Sequence, residues 1–261
     1  MKHSSDKLTA ELEAIVYERL GNWPETWQGY HWPGYTWEHT LRVRALALRL
    51  AREEGADATV VELAALLHDI EKRTGREHAR VGAETADRLL RERGLPAELV
   101  ERVSDAIATH AGGNTPEHPI ENLVLGDADL IDANFGLVGT WRFITIRAGH
   151  GSSPEETVAA MPEWLPKKDD LLRLINTDAG NAVARERSGA MHAFCDELAE
   201  AFAGDEAGRG LRELVIFINA QHRRGSLAAQ LPGLRAMGER LADPRVLAVC
   251  ERLEAEMEGE R

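Results

Sequence analysis

The sequence predicts an all-α protein. Apolar residues recur at helical spacing from end to end, alternating β-branched runs between hairpin turns are nearly absent, and glycine and proline fall between the periodic stretches. The spacing predicts helices near residues 6 to 20, 38 to 54, 57 to 73, 77 to 94, 96 to 111 and 119 to 134, with several more after 167. Gly55, Gly75, Gly94 with Pro96, and the pair Gly112 and Gly113 mark the breaks.

The first helix, within MKHSSDKLTAELEAIVYERL, carries charges throughout and lacks the apolar stretch of a signal peptide. Between Trp23 and His39 lie four of the six tryptophans together with Tyr30 and Tyr35. Aromatics so placed can cap a helical bundle or form a dimer contact, or else wall a pocket and stack a base. In EHTLRVRALALRLA, Leu41, Ala45 and Leu48 form one stripe and Val43, Leu46 and Leu50 another, an apolar arc wide enough for a central helix.

VVELAALLHDI is as apolar, so His68 and Asp69 fall at the inner end of a buried helix, where polar groups are costly unless something pairs with them. Residues 141 to 166, with Gly149, Gly151, Pro154, Pro162 and Pro166, read as irregular, either a lid or a connection. GHGSSPEE reads as a Gly-Ser turn with an N-cap rather than a phosphate loop, since it has no P-loop lysine and no preceding strand. From about 178 the chain is again helical, without a legible motif.

Composition narrows the function. With 31 Lys+Arg against 44 Asp+Glu the formal net charge is -13, which disfavours general nucleic-acid binding. A small phosphorylated substrate stays open, because a bound cation can supply the local positive charge that the surface lacks. Cys195 and Cys250 show neither CxxC spacing nor a disulfide framework, so a reducing cytoplasm is the expected location. No apolar run approaches the roughly 20 residues that span a bilayer.

Imidazole and carboxylate are good ligands for divalent transition metals, and neighbouring helix positions can converge on one ion at a helix end. His68 and Asp69 alone mean little. They gain weight from His39 on another apolar helix and from GDADLIDA, whose acids Asp127, Asp129 and Asp132 follow in an apolar setting. One histidine, one His-Asp pair and one aspartate on separate helices make a metal site that leaves positions for water and substrate, which implies catalysis.

The segments EHTLRV, LLHDIEK and ADLIDA, in that order, resemble the H...HD...D pattern of the HD superfamily of metal-dependent phosphohydrolases over about residues 36 to 135. The resemblance implies an HD-domain helical bundle with additional C-terminal helices. It divides the chain into an N-terminal helix and aromatic segment (1–35), an HD metal-binding core (36–135), and an irregular connection with C-terminal helices (136–261) that complete the same domain or form a small subdomain.

It also makes His39, His68, Asp69 and Asp129 metal ligands, with Asp127 in reserve and Asp132 an outer partner or a helix-surface acid. His78 and His110 resemble the positions that hold a second metal in the dinuclear branch, with Asp69 bridging, so one ion and two are both open. Mn, Fe, Co, Ni and Zn all suit such ligands.

Lys72 shares a helical face with His68 and Asp69 and matches the lysine of the HDxxK form, where it can contact substrate phosphate. The implied reaction cleaves a phosphoester or phosphoanhydride of a small molecule, with nucleotides among the candidates. Metal-activated water attacks, Asp69 orients it or takes its proton, and Lys72 offsets developing charge. Arg76 and Arg80 lie close enough in sequence to meet phosphate, though both read first as exposed, and Arg42, three residues after His39, can point toward the site. His3, His31, His118, His150, His192 and His222 match no ligand pattern.

Two other functions compete. Some HD proteins use six His/Asp ligands to hold two irons as oxygenases, and tightly bound iron with oxygen consumption would mark that class. A degenerate HD module serving as a sensor or scaffold would show a lost ligand, and none of the four is lost. The C-terminal helices leave a homodimer contact open.

Overall fold

A computed structural model describes residues 2–21, 34–204, 208–223 and 226–259, with the backbone alone for 2–6. Thirteen α-helices and no strand occur among the described residues. The first six are α1 (Lys2–Leu20), α2 (Tyr35–Glu54), α3 (Ala58–Leu67), α4 (His78–Glu92), α5 (Ala97–Thr109) and α6 (Ile120–Asn134). They are followed by α7 (Gly136–Gly149), α8 (Pro154–Ala159), α9 (Met161–Asp169), α10 (Asp178–Ala203), α11 (Arg209–Gln221), α12 (Leu227–Leu241) and α13 (Pro244–Met257). No described helix is long and apolar enough to cross a membrane.

Local chemistry sets the ends of α2 and α3. Gly55 takes φ of 72° and closes α2 by donating to the carbonyl of Ala51, a left-handed conformation that glycine adopts without a Cβ clash. Asp57 caps α3 by accepting from the backbone N–H groups of Thr59 and Val60.

α2 packs against α3 and α6, α3 against α5, and α4 against α5. Val43, Leu46, Leu50, Val60, Ala64, Leu67, Val124 and Ile131 are wholly or almost wholly buried between them. Helix α7 joins this part to the rest, touching α6 on one side and α10, α11 and α13 on others. One continuous core runs from Leu12 to Leu253. The α7 N-terminus is held from the end of the chain: the buried Glu256 carboxylate accepts from the N–H groups of Leu137 and Val138.

Two expectations need correction. The helix expected over 57 to 73 stops at Leu67, and Lys72–Glu77 is a separate 3-10 segment broken at Gly75 (φ 66°, ψ −123°). Only glycine takes that conformation readily. It turns the chain so that His78 re-enters at the start of α4 beside the His-Asp pair.

Nor are residues 141 to 166 irregular; they run through α7, α8 and α9. Pro154 and Pro162 sit in the first turns of their helices, where a missing N–H costs nothing, and Ser153 with Glu156 forms a capping box ahead of Pro154. That box agrees with the N-cap read from GHGSSPEE. Cys195 and Cys250 are buried and unbridged.

Candidate metal centre

Four histidines converge from four places. His39 lies in the first turns of α2, His68 just past the end of α3, His78 at the start of α4 and His110 just past the end of α5. Their rings form a chain, with centroid separations of 5.5 Å (His39 to His68), 5.0 Å (His68 to His110) and 5.2 Å (His110 to His78). His39, His68 and His110 are buried, as is Asp69.

Each ring is oriented by its Nδ1. That atom lies 2.8 Å from the Ala65 carbonyl in His68, 2.7 Å from the Gly75 carbonyl in His78 and 2.6 Å from the Ile107 carbonyl in His110. A carbonyl only accepts, so each Nδ1 carries the proton and each Nε2 presents its lone pair inward. In His39, Nδ1 is 2.7 Å from the Asp132 carboxylate, which also only accepts.

The Nε2 atoms face two carboxylates. Asp69 Oδ2 lies 3.8 Å from His39 Nε2 and 3.5 Å from His68 Nε2, while Asp129 Oδ1 lies 3.0 Å and 3.9 Å from the same two atoms. On the other side, Asp69 Oδ1 lies 3.5 Å from His78 Nε2 and 3.7 Å from His110 Nε2. The Lys72 ammonium donates to that oxygen at 2.9 Å and stands 3.5 Å from His78 Nε2. All six expected ligands and Lys72 are thus gathered, with the two oxygens of Asp69 facing opposite halves of the group.

The arrangement fits a divalent metal. Three of its buried atoms, His68 Nε2, Asp69 Oδ2 and His110 Nε2, have no hydrogen-bond partner. Leaving such atoms bare costs about 1–3 kcal/mol each. Imidazole lone pairs and carboxylate oxygens a few ångströms apart are what an ion of the Mn-to-Zn series takes up. His39, His68, Asp69 Oδ2 and Asp129 would hold one ion, and Asp69 Oδ1, His78 and His110 a second.

The same contacts set the charges of the metal-free group. Burial disfavours a charged His39, but Asp129 and Asp132 outweigh it and raise its pKa to about 10. Against burial, Lys72 and His68 hold the Asp69 carboxyl well below the usual range, and His39 does the same for Asp129. Lys72 stays charged in spite of burial because Asp69 and Asp129 face it. His78 is pushed below its ordinary value by burial and by Lys72.

A pH dependence follows. An ion held at His39 would need its Nε2 lone pair, whereas Asp129 and Asp132 keep the metal-free imidazole protonated with a pKa of about 10. Binding at pH 8 is therefore expected to release about one proton per ion at this site, and affinity is expected to rise about tenfold per pH unit toward pH 10. Titration calorimetry in buffers of different ionisation enthalpy reads the proton count directly. A count of zero would mean that His39 is not a ligand.

Asp132 is buried and accepts from His39 and, in bidentate fashion, from Arg42 (Nε 2.8 Å, Nη2 3.0 Å), so it is an orienting partner and not a surface acid. Asp127 is not in the group. About 200° around α6 from Asp129, it accepts from the N–H groups of Asn176 and Thr177 and from the Thr177 hydroxyl, tying α6 to the start of α10. Arg80 is exposed and paired with Glu77 and Glu84, and Arg76 is exposed.

Of the aromatic segment, Trp23, Trp27, Tyr30 and Trp32, with His31, lie outside the described residues. Tyr35 is buried and stacks on His39 (centroids 6.0 Å apart, planes within 7°). The sequence did not single out Arg173, which lines a cavity of about 540 Å³ together with Asp129, His110, Asn114, Leu130 and Asn176. That volume suits a small-molecule ligand.

Comparison with known proteins shows the family. The HD-domain family model matches residues 36–134. The YpgQ protein of Bacillus subtilis is 30% identical over an alignment of 198 residues that covers 73% of this chain and 95% of YpgQ. The chain belongs to the HD-domain superfamily. The crystal structure of YpgQ superposes on this HD protein with a TM-score of 0.56 at 25% identity, covering 75% of this chain and 95% of YpgQ. YpgQ has also been crystallised in complex with ADP.

The structure of a predicted HD superfamily hydrolase from an uncultured Thermotogales bacterium gives a TM-score of 0.50 at 26% identity, over 73% of this chain and 90% of the other. The fold is that of the HD-superfamily hydrolases.

Proposed function

We propose that this HD protein is a metal-dependent phosphohydrolase acting on a small phosphorylated molecule, with nucleotides the first class to test. The observation that carries the reading is the convergence of four oriented Nε2 atoms on Asp69 and Asp129, with three buried ligand atoms left unpartnered, beside a cavity that Asp129 and His110 line. The ADP complex of YpgQ supports a phosphorylated ligand.

A divalent ion held by these residues would supply a polarised phosphoryl oxygen and an activated water. The chain's own groups do the rest. Lys72, kept charged by Asp69 and Asp129, faces the centre and can take the negative charge that builds on the phosphoryl oxygens. Asp69, held far below the usual carboxylate range, serves better to orient the attacking water than to keep its proton. Asp132 and the three carbonyls fix the imidazoles so that no ligand must reorient during turnover.

The test is metal content per chain, measured on protein purified without added metal or chelator, together with phosphate or pyrophosphate release from a panel of nucleoside and sugar phosphates. Wild type and His78→Ala would be compared. Nearly two equivalents falling toward one in His78→Ala would give the dinuclear form, and one equivalent unchanged in the variant the mononuclear form. Bound metal without hydrolysis of any phosphoester or anhydride would overturn the reading. Two irons with oxygen uptake would replace it by the oxygenase.

A further inference from the structure

Two basic side chains from different helices converge on the end of α6. Arg142 of α7 and Lys168 of α9 are half-buried, and neither meets a carboxylate among the described residues. Among the described residues Arg142 makes one long hydrogen bond, Nη1 to the Ala133 carbonyl at 3.3 Å, and its buried Nε meets no partner. Lys168 donates to the neutral Asn134 side chain at 2.7 Å and lies 5.7 Å from the Trp164 ring centre. In a chain with 44 acidic residues against 31 basic ones, two cations that meet adjacent residues of α6, with no carboxylate for either among the described residues, are unexpected.

Their mutual repulsion registers in the lysine. Burial, with Arg142 adding to it, lowers the Lys168 pKa to about 8. Neutral acceptors satisfy hydrogen bonds but do not neutralise two like charges held out of water, whereas an anion between them does both.

The pair also lies beside the candidate centre. The Arg142 guanidinium stands 5.6 Å from the Tyr35 ring centre, and Tyr35 stacks on His39. Ala133, whose carbonyl Arg142 contacts, is one helical turn beyond Asp129 on α6. Contacts thus run from the pair to the group through Tyr35, which stacks on His39, and through the end of α6, which carries Asp129.

We propose that Arg142 and Lys168 form an anion subsite beside the metal centre that takes a phosphoryl group of the substrate other than the one hydrolysed. Anion binding stands on two cations that meet no carboxylate among the described residues; the substrate role rests on the phosphohydrolase reading. Polyphosphorylated substrates would then be preferred over monophosphates.

The test uses inorganic pyrophosphate as the probe and equilibrium binding as the readout, so that it does not depend on turnover. Titration calorimetry on metal-free wild type is expected to show binding, weakened on the order of tenfold or more in Lys168→Met and in Arg142→Gln, and largely restored in Lys168→Arg. Equal binding by wild type and both variants, or none by wild type, would overturn the subsite. If the two cations only brace the end of α6, the variants melt earlier while pyrophosphate binding is unchanged.

Should the variants not fold, the wild type still decides. Saturating pyrophosphate is expected to slow acylation of Lys168 several-fold, followed by mass spectrometry, while exposed Lys7 reacts at the same rate. Unprotected Lys168 would refute the proposal. Pyrophosphate bound and lost as expected, without hydrolysis of any substrate, would keep the subsite and remove the phosphohydrolase.

Discussion

Exchanging Asp69 for asparagine is expected to leave the protein folded and strip it of bound metal and hydrolytic activity together. The amide fills the same buried volume, so the packing of α3 on α2 and α5 has no reason to change. What changes is charge and acceptor capacity. Oδ2 faces His39 and His68, while Oδ1 faces His78, His110 and Lys72, so an amide group puts a donor where one half of the centre needs an acceptor. Losing an outer partner of a metal ligand typically costs about 10–100-fold in affinity or activity. Asp69→Asn is expected to exceed that range in both, read by elemental analysis and turnover on the same preparation. A variant that kept its full metal complement would remove Asp69 from the ligand set.

The path from sequence to site was legible where chemistry repeats with helical spacing. His39, His68, Asp69 and Asp129 stand out because polar residues interrupt strongly apolar helices, and burial of unpaired polar groups demands an explanation. The part that was hidden depends on contacts between segments far apart in the chain. That Asp132 orients His39 follows from 93 positions of separation closing to 2.7 Å. Its signal was present: Arg42 follows His39 by three residues and Asp132 follows Asp129 by three, so each lies beside its ligand on the same helix face.

The break at Gly75 was legible, but the end of α3 at Leu67 was hidden because apolar periodicity continues through Ile70; there the chain already passes into turns, with Ile70 N–H donating to the Leu67 carbonyl and Lys72 N–H to that of Asp69. Proline misled in the opposite direction over 141 to 166. Counted as a breaker, it hid three helices, although in a first turn it starts a helix as readily as it ends one. Arg142 and Lys168 carry no pattern at all, since nothing in a sequence tells a paired cation from an unpaired one.

Asp132→Ala is expected to be the most destabilising single exchange around the centre. Its carboxylate is the bidentate acceptor for Arg42, which is as buried as Asp132 itself, and the nearest alternative for the guanidinium, Glu38, stands 3.9 Å away. Removing one partner of a buried ion pair strands the other charge and costs about 3–5 kcal/mol, against at most about 1 kcal/mol for an exposed pair. For a chain of this size that is a fall in Tm of roughly 10 °C, measurable by calorimetry on metal-free protein.

The same exchange frees the His39 ring, so metal affinity is expected to drop about 10–100-fold as well. The two losses have separate causes and are expected to separate in Asp132→Asn combined with Arg42→Met. With no stranded cation the double variant regains most of the lost stability, because an apolar side chain of similar length can fill the guanidinium's place. Its metal affinity stays low, because an amide does not hold the His39 Nδ1 proton as a carboxylate does. A double variant that recovered both, or neither, would show that Arg42 and His39 do not draw on Asp132 independently, and the orienting role would have to be assigned to the Arg42–Asp132 pair as a unit.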